Sequence, residues 1–392
     1  ALTQTLPQAV PGFDLRHAMV EPSFFSEALG LQGRMDFLQW DGRVIMEQKS
    51  GKCGYPQQRP DVPVLARKHY VQVLLYVAML RHLHGAQPDL THNMQAFLLY
   101  SRYAESLVAV GYAPTVVFEA MRLRNRIVGM EHHLASAGYG LLTTLTADRL
   151  NENACQSRLW REWQRPAIEQ TLTPLRQASS LERAYCLRLL AFLSREHLLA
   201  KTGNARKENS GFAATWHDAI DDKRAAGNIY DGLHMVEPAG NAGESDDATD
   251  GVPRTVTHVV LAFGERPDDG MSNFRTGDIV LLYPYRPGDE PDVRRTMVFR
   301  ATLTDVRDGH IRLTLRAEQT DARVFTMHHG ALWAIEHDFM EASFAPLYLS
   351  MQRFLTAPQE RRDLLMMQRR PRTDGNYSAN GITRLSAAPN RA

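Results

Sequence analysis

The spacing of apolar residues changes along this chain, and that change limits the folds open to it. In "VVFEAMRLRNRIVGMEHHL" (Val116–Leu134) and "LERAYCLRLLAFLSREHLLA" (Leu181–Ala200) apolar residues recur every three or four positions. That is the stripe of an amphipathic helix. The stretch from Thr146 to Leu199 reads as helix throughout, apart from Pro166 and Pro174. Then "AGNAGESDDATDG" (Ala239–Gly251) intervenes, small, acidic and without aliphatic bulk. It reads as a loop or linker. Beyond it the period is two: "RTVTHVVLAFGE", "GDIVLLYPY" and "RRTMVFRATLTDVRDGHIRLTLRAE" read as short strands. Asp308-Gly309 is a hairpin turn signal between two of them. Roughly five strands in so short a span predict a small β-barrel. From Ala331 to Met367 the helical period returns.

The first part of the chain holds an anomaly. "GRMDFLQW" (Gly33–Trp40) and "RVIMEQKSG" (Arg43–Gly51) read as two strands joined by Asp41-Gly42, a preferred hairpin turn. Strand interiors disfavour Asp, Glu and Lys, yet Asp36, Glu47 and Lys49 lie in them. With that turn, Asp36 stands opposite Glu47, with Cβ atoms roughly 4.5–5.5 Å apart. Lys49, two residues on, points to the same face. Two facing carboxylates repel; a divalent cation between them relieves the repulsion. Oxygen ligands favour Mg²⁺ or Mn²⁺. A metal held there can bind a phosphate oxygen and acidify a water, and a neighbouring lysine can stabilise developing charge. The pattern suits metal-dependent phosphodiester hydrolysis. "VLARKHYVQVLLYVAMLRHLHG" (Val64–Gly85) follows as a long apolar helix, with Gln72 and Tyr76 on one face.

Composition narrows the alternatives. The net charge of +1 excludes a polybasic nucleic-acid binder, although a local basic groove remains open. No apolar run is long enough to span a membrane, and the first residues carry no signal-peptide pattern. The three cysteines, Cys53, Cys155 and Cys186, lie far apart with no C-x-x-C spacing. They form neither a disulfide framework nor a zinc motif, and a reducing cytoplasm is the expected compartment. "QKSGKC" lacks the glycine and hydroxyl of a phosphate-binding loop, so no ATPase is expected here. His132-His133 and His328-His329 read as solvated surface. Trp333, Phe339 and Tyr348 read as packed residues rather than base-stacking platforms.

The order G-x-x-D (Gly33–Asp36), E-x-K (Glu47–Lys49) and Q-x-x-x-Y (Gln72–Tyr76) resembles the RecB-type branch of the PD-(D/E)XK nucleases. "VEPSFFSEALGLQGRMDFL" further resembles the nuclease domain of flap-processing nuclease-helicases. "FRTGDIVLLYPY" is similar to the start of the small barrel that precedes the motor of superfamily 1B helicases. The resemblance implies an α/β restriction-endonuclease-like core with helical additions, then a small β-barrel and a helical stalk. Asp36 and Glu47 would bind Mg²⁺ or Mn²⁺ with the Gln48 carbonyl, and Lys49 would polarise the attacking water. Gln72 and Tyr76 would position DNA and brace the lysine. The branch usually adds an upstream histidine ligand, and His17 precedes Asp36. Many relatives hold an iron–sulfur cluster, for which three scattered cysteines are too few.

The resulting expectation is a nuclease domain at 1–238, a linker at 239–251 and a barrel at 252–328. A stalk at 329–370 and a tail at 371–392 lead toward a helicase motor in the full-length chain. The expected activity is deoxyribonuclease action on single-stranded or flap DNA. The alternatives are an inactive DNA-binding scaffold of the same fold or a stand-alone RecB-like exonuclease.

Overall fold

A computed structural model describes residues 5–14, 17–39, 41–51, 65–83, 93–103, 106–136, 138–203, 215–240, 255–264, 272–307, 309–326, 330–338 and 343–371. The protein is a mixed α/β chain with a closed six-stranded barrel and several helices. It divides into two units, Ala1–Met130 with Leu198–Met340, and Glu131–His197 with Glu341–Ala392.

The first unit begins with helix α1 (Thr5–Ala9) and a five-stranded sheet. In sheet order its strands are β1 (Ala18–Val20), β4 (Phe37–Gln39), β5 (Val44–Lys49), β6 (Gln95–Tyr100) and β7 (Leu107–Ala109). Between β1 and β4 the chain makes a separate hairpin, β2 (Ser23–Ser26) with β3 (Leu31–Arg34). Only β5 and β6 run parallel, and helix α2 (Arg67–Leu83) connects them. Strand alternation sorts the side chains. Val44 and Met46 pack toward Leu6 and Val10 around α1. Ile45, Ala96 and Leu98 pack with Val73, Leu74 and Val77 of α2. Each such fully buried aliphatic side chain stabilises the fold by about 1.5–3 kcal/mol. By the same alternation Glu47 and Lys49 share the face of Ile45, under α2.

Phe37 pairs with Met46 and Leu38 with Ile45, the register that the Asp41-Gly42 turn predicts. Gly42 supplies a φ of +72° there, and its N–H donates to the Gln39 carbonyl at 2.8 Å. The expectation of one strand over Gly33–Trp40 is corrected. Gly33 and Arg34 belong to β3, and the strand resumes at Phe37 in a different sheet. The break follows from Met35, which is fully buried and donates its N–H to the Pro22 carbonyl at 3.1 Å. Trp40 lies outside the described residues.

The barrel closes in the order β10 (Ile279–Tyr285), β11 (Phe299–Arg307), β12 (His310–Gln319), β9 (Val256–Phe263), β8 (Ile229–Gly240) and β13 (Leu332–His337). Ile311, Leu313 and Leu315 point inward on β12, while Arg312 and Arg316 are exposed. Two expectations change here. The barrel has six strands rather than five, and it spans Ile229–His337 rather than 252–328. Strand β8 comes from the stretch assigned to the nuclease, because its Gly and polar residues mask the alternation. Strand β13 comes from the expected stalk. "LWAIEH" is a short apolar run, and such runs fit a buried strand as well as a helix. Trp333 is indeed packed, at 1% exposure inside the barrel. Most of the expected linker, and the tail beyond residue 371, lie outside the described residues.

Within this unit the barrel is fixed to the sheet. The Gln319 side chain accepts the Val20 N–H at 2.9 Å and donates to the Val20 carbonyl at 2.8 Å. Ser23 and Val298 exchange backbone hydrogen bonds at 3.0 and 2.8 Å.

The second unit is helical. Its core gathers Leu175, Ala178, Cys186, Phe354 and Leu355. Helices Phe344–Thr356 and Gln359–Leu365 of the expected stalk belong to it. Glu182 closes a capping box with Ser179, at 2.9 and 3.3 Å, and its carboxylate meets Arg362 at 3.3 Å. The helix expected from Thr146 is interrupted at residues 151–157. There the Asn151 side chain takes the Cys155 N–H at 2.8 Å, an alternative to helical hydrogen bonding.

Candidate active site

Strand β4 ends one residue short of Asp36, so its partner β5 runs on unpaired past Met46 on that side. The Gln48 N–H, which would otherwise continue the β4 ladder, donates to Asp36 Oδ2 at 2.7 Å. The Gln48 carbonyl points toward the same open edge as its N–H. The Asp36 N–H reaches Glu47 Oε2 at 3.4 Å. Asp36 and Glu47 therefore meet, one at the gap between two strands and one in mid-strand.

Glu47 is buried, at 3% exposure, and three groups act on its carboxylate. Lys49 Nζ stands 2.5 Å from Oε1. Gln72 Nε2 donates to the same oxygen at 2.7 Å. Asp36 adds like-charge repulsion. Burial pushes the Glu47 pKa up, against the Lys49 hydrogen bond, and Asp36 pushes it further. A buried carboxylate and a half-buried one that repels it, beside a backbone carbonyl, are a donor set that a hard divalent cation fits. Among the described residues no group of three or more His, Cys, Asp or Glu side chains gathers. The candidate centre thus offers two carboxylates and the Gln48 carbonyl.

Helix α2 brings the last motif. Gln72 Nε2 also donates to the Tyr76 hydroxyl at 2.8 Å, and that hydroxyl donates to the Arg34 carbonyl at 2.7 Å. These bonds fix β3 and Glu47 to the helix; Gln72 reaches the glutamate rather than the lysine. The motif glycine has a steric reason. A Cβ on Gly33 would stand 2.9 Å from Tyr76 Cε1. Burial raises the Tyr76 pKa, and its hydrogen bond from Gln72 opposes that.

Other sequence candidates fall elsewhere. His17 pairs with Asp14 at 3.2 Å. It precedes Ala18, which faces Gln39, whereas Glu21 at the other end of β1 bonds Asp36. His17 is therefore about four residues, roughly 13 Å of strand, from the carboxylates. Cys155 and Cys186 are free thiols; Cys53, His328, His329 and Phe339 lie outside the described residues. Two residues beside the site carry no sequence signal of their own. Tyr100 is fully buried and stands opposite Lys49 in the parallel ladder. Its hydroxyl meets His69 Nδ1 at 3.0 Å. Burial first, then Lys49 and Lys68, hold the His69 pKa below its usual value. The i, i+3 spacing of His69 and Gln72 was the available clue.

A scan of protein-family models gives no match for this chain, and a search of curated proteins gives none. No helix among the described residues is long and apolar enough to cross a membrane.

Proposed function

We propose that this protein is a metal-dependent nuclease with a restriction-endonuclease-like core, hydrolysing phosphodiester bonds of single-stranded or flap DNA. The observation that carries it is the meeting of Asp36, Glu47 and Lys49 at the open end of β4, with Gln72 on the same carboxylate. Asp36, Glu47 and the Gln48 carbonyl would hold Mg²⁺ or Mn²⁺. The ion, when bound, supplies a Lewis acid for a phosphoryl oxygen and acidifies a water. Lys49 holds a cationic N–H beside the reacting phosphate and orients the water. Gln72 keeps the Glu47 carboxylate in place through 2.7 Å contact. Tyr76 locks the strand before Asp36 onto α2. The resemblance to nuclease-helicases supports a place as the nuclease and barrel portion of such a protein, in the cytoplasm.

A second function is supported by the same network. Glu47 Oε1 is satisfied by Lys49 and Gln72 together, which suits a strand-binding scaffold of the same fold that does not cleave. Cleavage of labelled single strands, duplexes and flaps, with and without Mn²⁺, separates the two. Metal-dependent products that disappear in Lys49→Ala, while that variant keeps its calorimetric Mn²⁺ affinity, support the nuclease. Strand binding without products under any metal supports the scaffold.

A further inference from the structure

In the proposed site the divalent cation and Lys49 serve the reacting phosphate alone. Charge compensation for the next phosphate of a bound strand has to come from nearby groups, and one end of the sheet supplies them. His69 lies one helical turn before Gln72, so the two share a face of α2. Its ring is held by Tyr100, 3.0 Å from Nδ1. The Tyr100 oxygen also accepts the Ala66 N–H at 3.2 Å. Assigning the hydroxyl proton to Nδ1 places the ring proton on Nε2. The residue is only partly buried, and with that tautomer Nε2–H is a donor free of the Tyr100 contact.

Two cations lie in the same part of the chain trace. Lys68 and Arg102 are exposed, and among the described residues neither has a carboxylate partner. Arg102 follows Ser101, whose N–H holds the Lys49 carbonyl at 3.1 Å. Lys68 adjoins His69 in the first turn of α2. All three residues therefore sit where β5 and β6 end. In open α/β sheets, ligands bind outside the carboxyl ends of the strands.

We propose that His69, Lys68 and Arg102 form a phosphate subsite for a nucleic-acid strand, with His69 Nε2–H donating to a nonbridging phosphate oxygen next to the cleaved bond. The subsite rests on the nuclease proposal and assigns it a binding direction, from the carboxylates toward the ends of β5 and β6. His69 binds substrate; it neither takes nor gives a proton in the reaction. Lys68 and Arg102 contribute charge that any base sequence satisfies.

The test combines steady-state cleavage in Mn²⁺ with binding of a fluorescein-labelled oligothymidylate in EDTA, read by anisotropy. His69→Ala is expected to raise KM and weaken EDTA binding by about tenfold, the worth of one hydrogen bond to a charged group. Its kcat should stay within about twofold, since the contact is made equally in ground and transition states. His69→Gln, which places an amide N–H near the Nε2 position, should restore most of the affinity. Lys68→Ala and Arg102→Ala should each lower the slope of log affinity against log salt by about one contact. Unchanged KM and affinity in His69→Ala would overturn the subsite. So would a fall in kcat at constant KM, or equal loss in the Ala and Gln variants with a lowered melting temperature, which would make His69 structural. A wild-type protein that never cleaves, yet loses strand affinity on His69→Ala, would sink the nuclease and leave the subsite standing.

Discussion

Two lysine–glutamate pairs in this protein use the same chemistry in opposite surroundings. At the barrel, Lys223 Nζ, from the short helix Ile220–Ala225, meets Glu336 Oε2 of β13 at 2.8 Å, with side chains 3% and 2% exposed. The other carboxylate oxygen accepts the Tyr283 hydroxyl at 2.5 Å. Burial raises the Glu336 pKa, and Lys223 opposes it. At the sheet, Lys49 meets Glu47 with side chains 20% and 4% exposed, and the charge of a second carboxylate, Asp36, acts on the glutamate as well. The barrel pair is sealed by a donor and completes itself. The sheet pair also takes donors, from Gln72 and the Asp36 N–H, but the Asp36 carboxylate beside it leaves excess negative charge at an open edge. That excess, rather than the ion pair, is what the proposed function rests on.

The largest expected effects break this comparison in two directions. Glu47→Gln and Asp36→Asn should each remove cleavage, by at least about a thousandfold, with the apo melting temperature held or raised as repulsion is lost. Glu336→Leu should act on stability instead. It leaves the Lys223 ammonium and the Tyr283 hydroxyl buried without an acceptor, a loss of about 3–5 kcal/mol in denaturant unfolding. Replacing both barrel partners, Lys223→Met with Glu336→Leu, should recover most of it. Cleavage that survives both Asp36→Asn and Glu47→Gln would remove the functional distinction.

A smaller effect is expected from Gly33→Ala. The added methyl meets Tyr76 Cε1 at 2.9 Å, and overpacking of this kind costs about 1–3 kcal/mol. Moving Tyr76 also loosens Gln72, so cleavage should fall along with stability. A thermal melt and a cleavage rate identical to wild type would show that the ring shifts freely.

The smallest effect is a pH slope. Glu47 and Glu336 both have folded-state pKa values raised above 4.5. Between the unfolded and folded values the native state binds more protons, so each contributes stability that is lost as pH rises from about 4.5 through the raised value. Urea midpoints of the metal-free protein should therefore drift down over that window from this cause. Glu47→Gln and Glu336→Gln should each flatten part of the drift. A wild-type slope retained in both variants would assign it to other groups.

The sequence made the sheet pair legible and hid the barrel pair. Asp36, Glu47 and Lys49 lie within one hairpin, where an Asp-Gly turn sets the register and the register sets the facing residues. Gln72 and Tyr76 follow from helical spacing on the connecting helix. Lys223 and Glu336 are far apart in sequence, the first on a short helix and the second on a strand within a stretch of helical period. Short buried strands such as β13 lack alternation because both faces are covered. The break at Met35 was equally hidden, since an apolar residue gives no sign that the chain is changing sheets. His69 and Tyr100 escaped because a single histidine on an apolar helix and a tyrosine at a strand end are ordinary until the fold brings them together.

The amide of Gln319 has a consequence for handling this protein in pieces. Strand β1 is an outer strand of its sheet, and its Val20 N–H and carbonyl are both satisfied by that one side chain. The side chain imitates a single residue of a neighbouring strand and then stops, so it occupies the margin without continuing the sheet. A fragment cut before the barrel would expose that margin to other chains. Uncovered strand margins template intermolecular pairing, so the isolated sheet should self-associate more strongly than the whole chain.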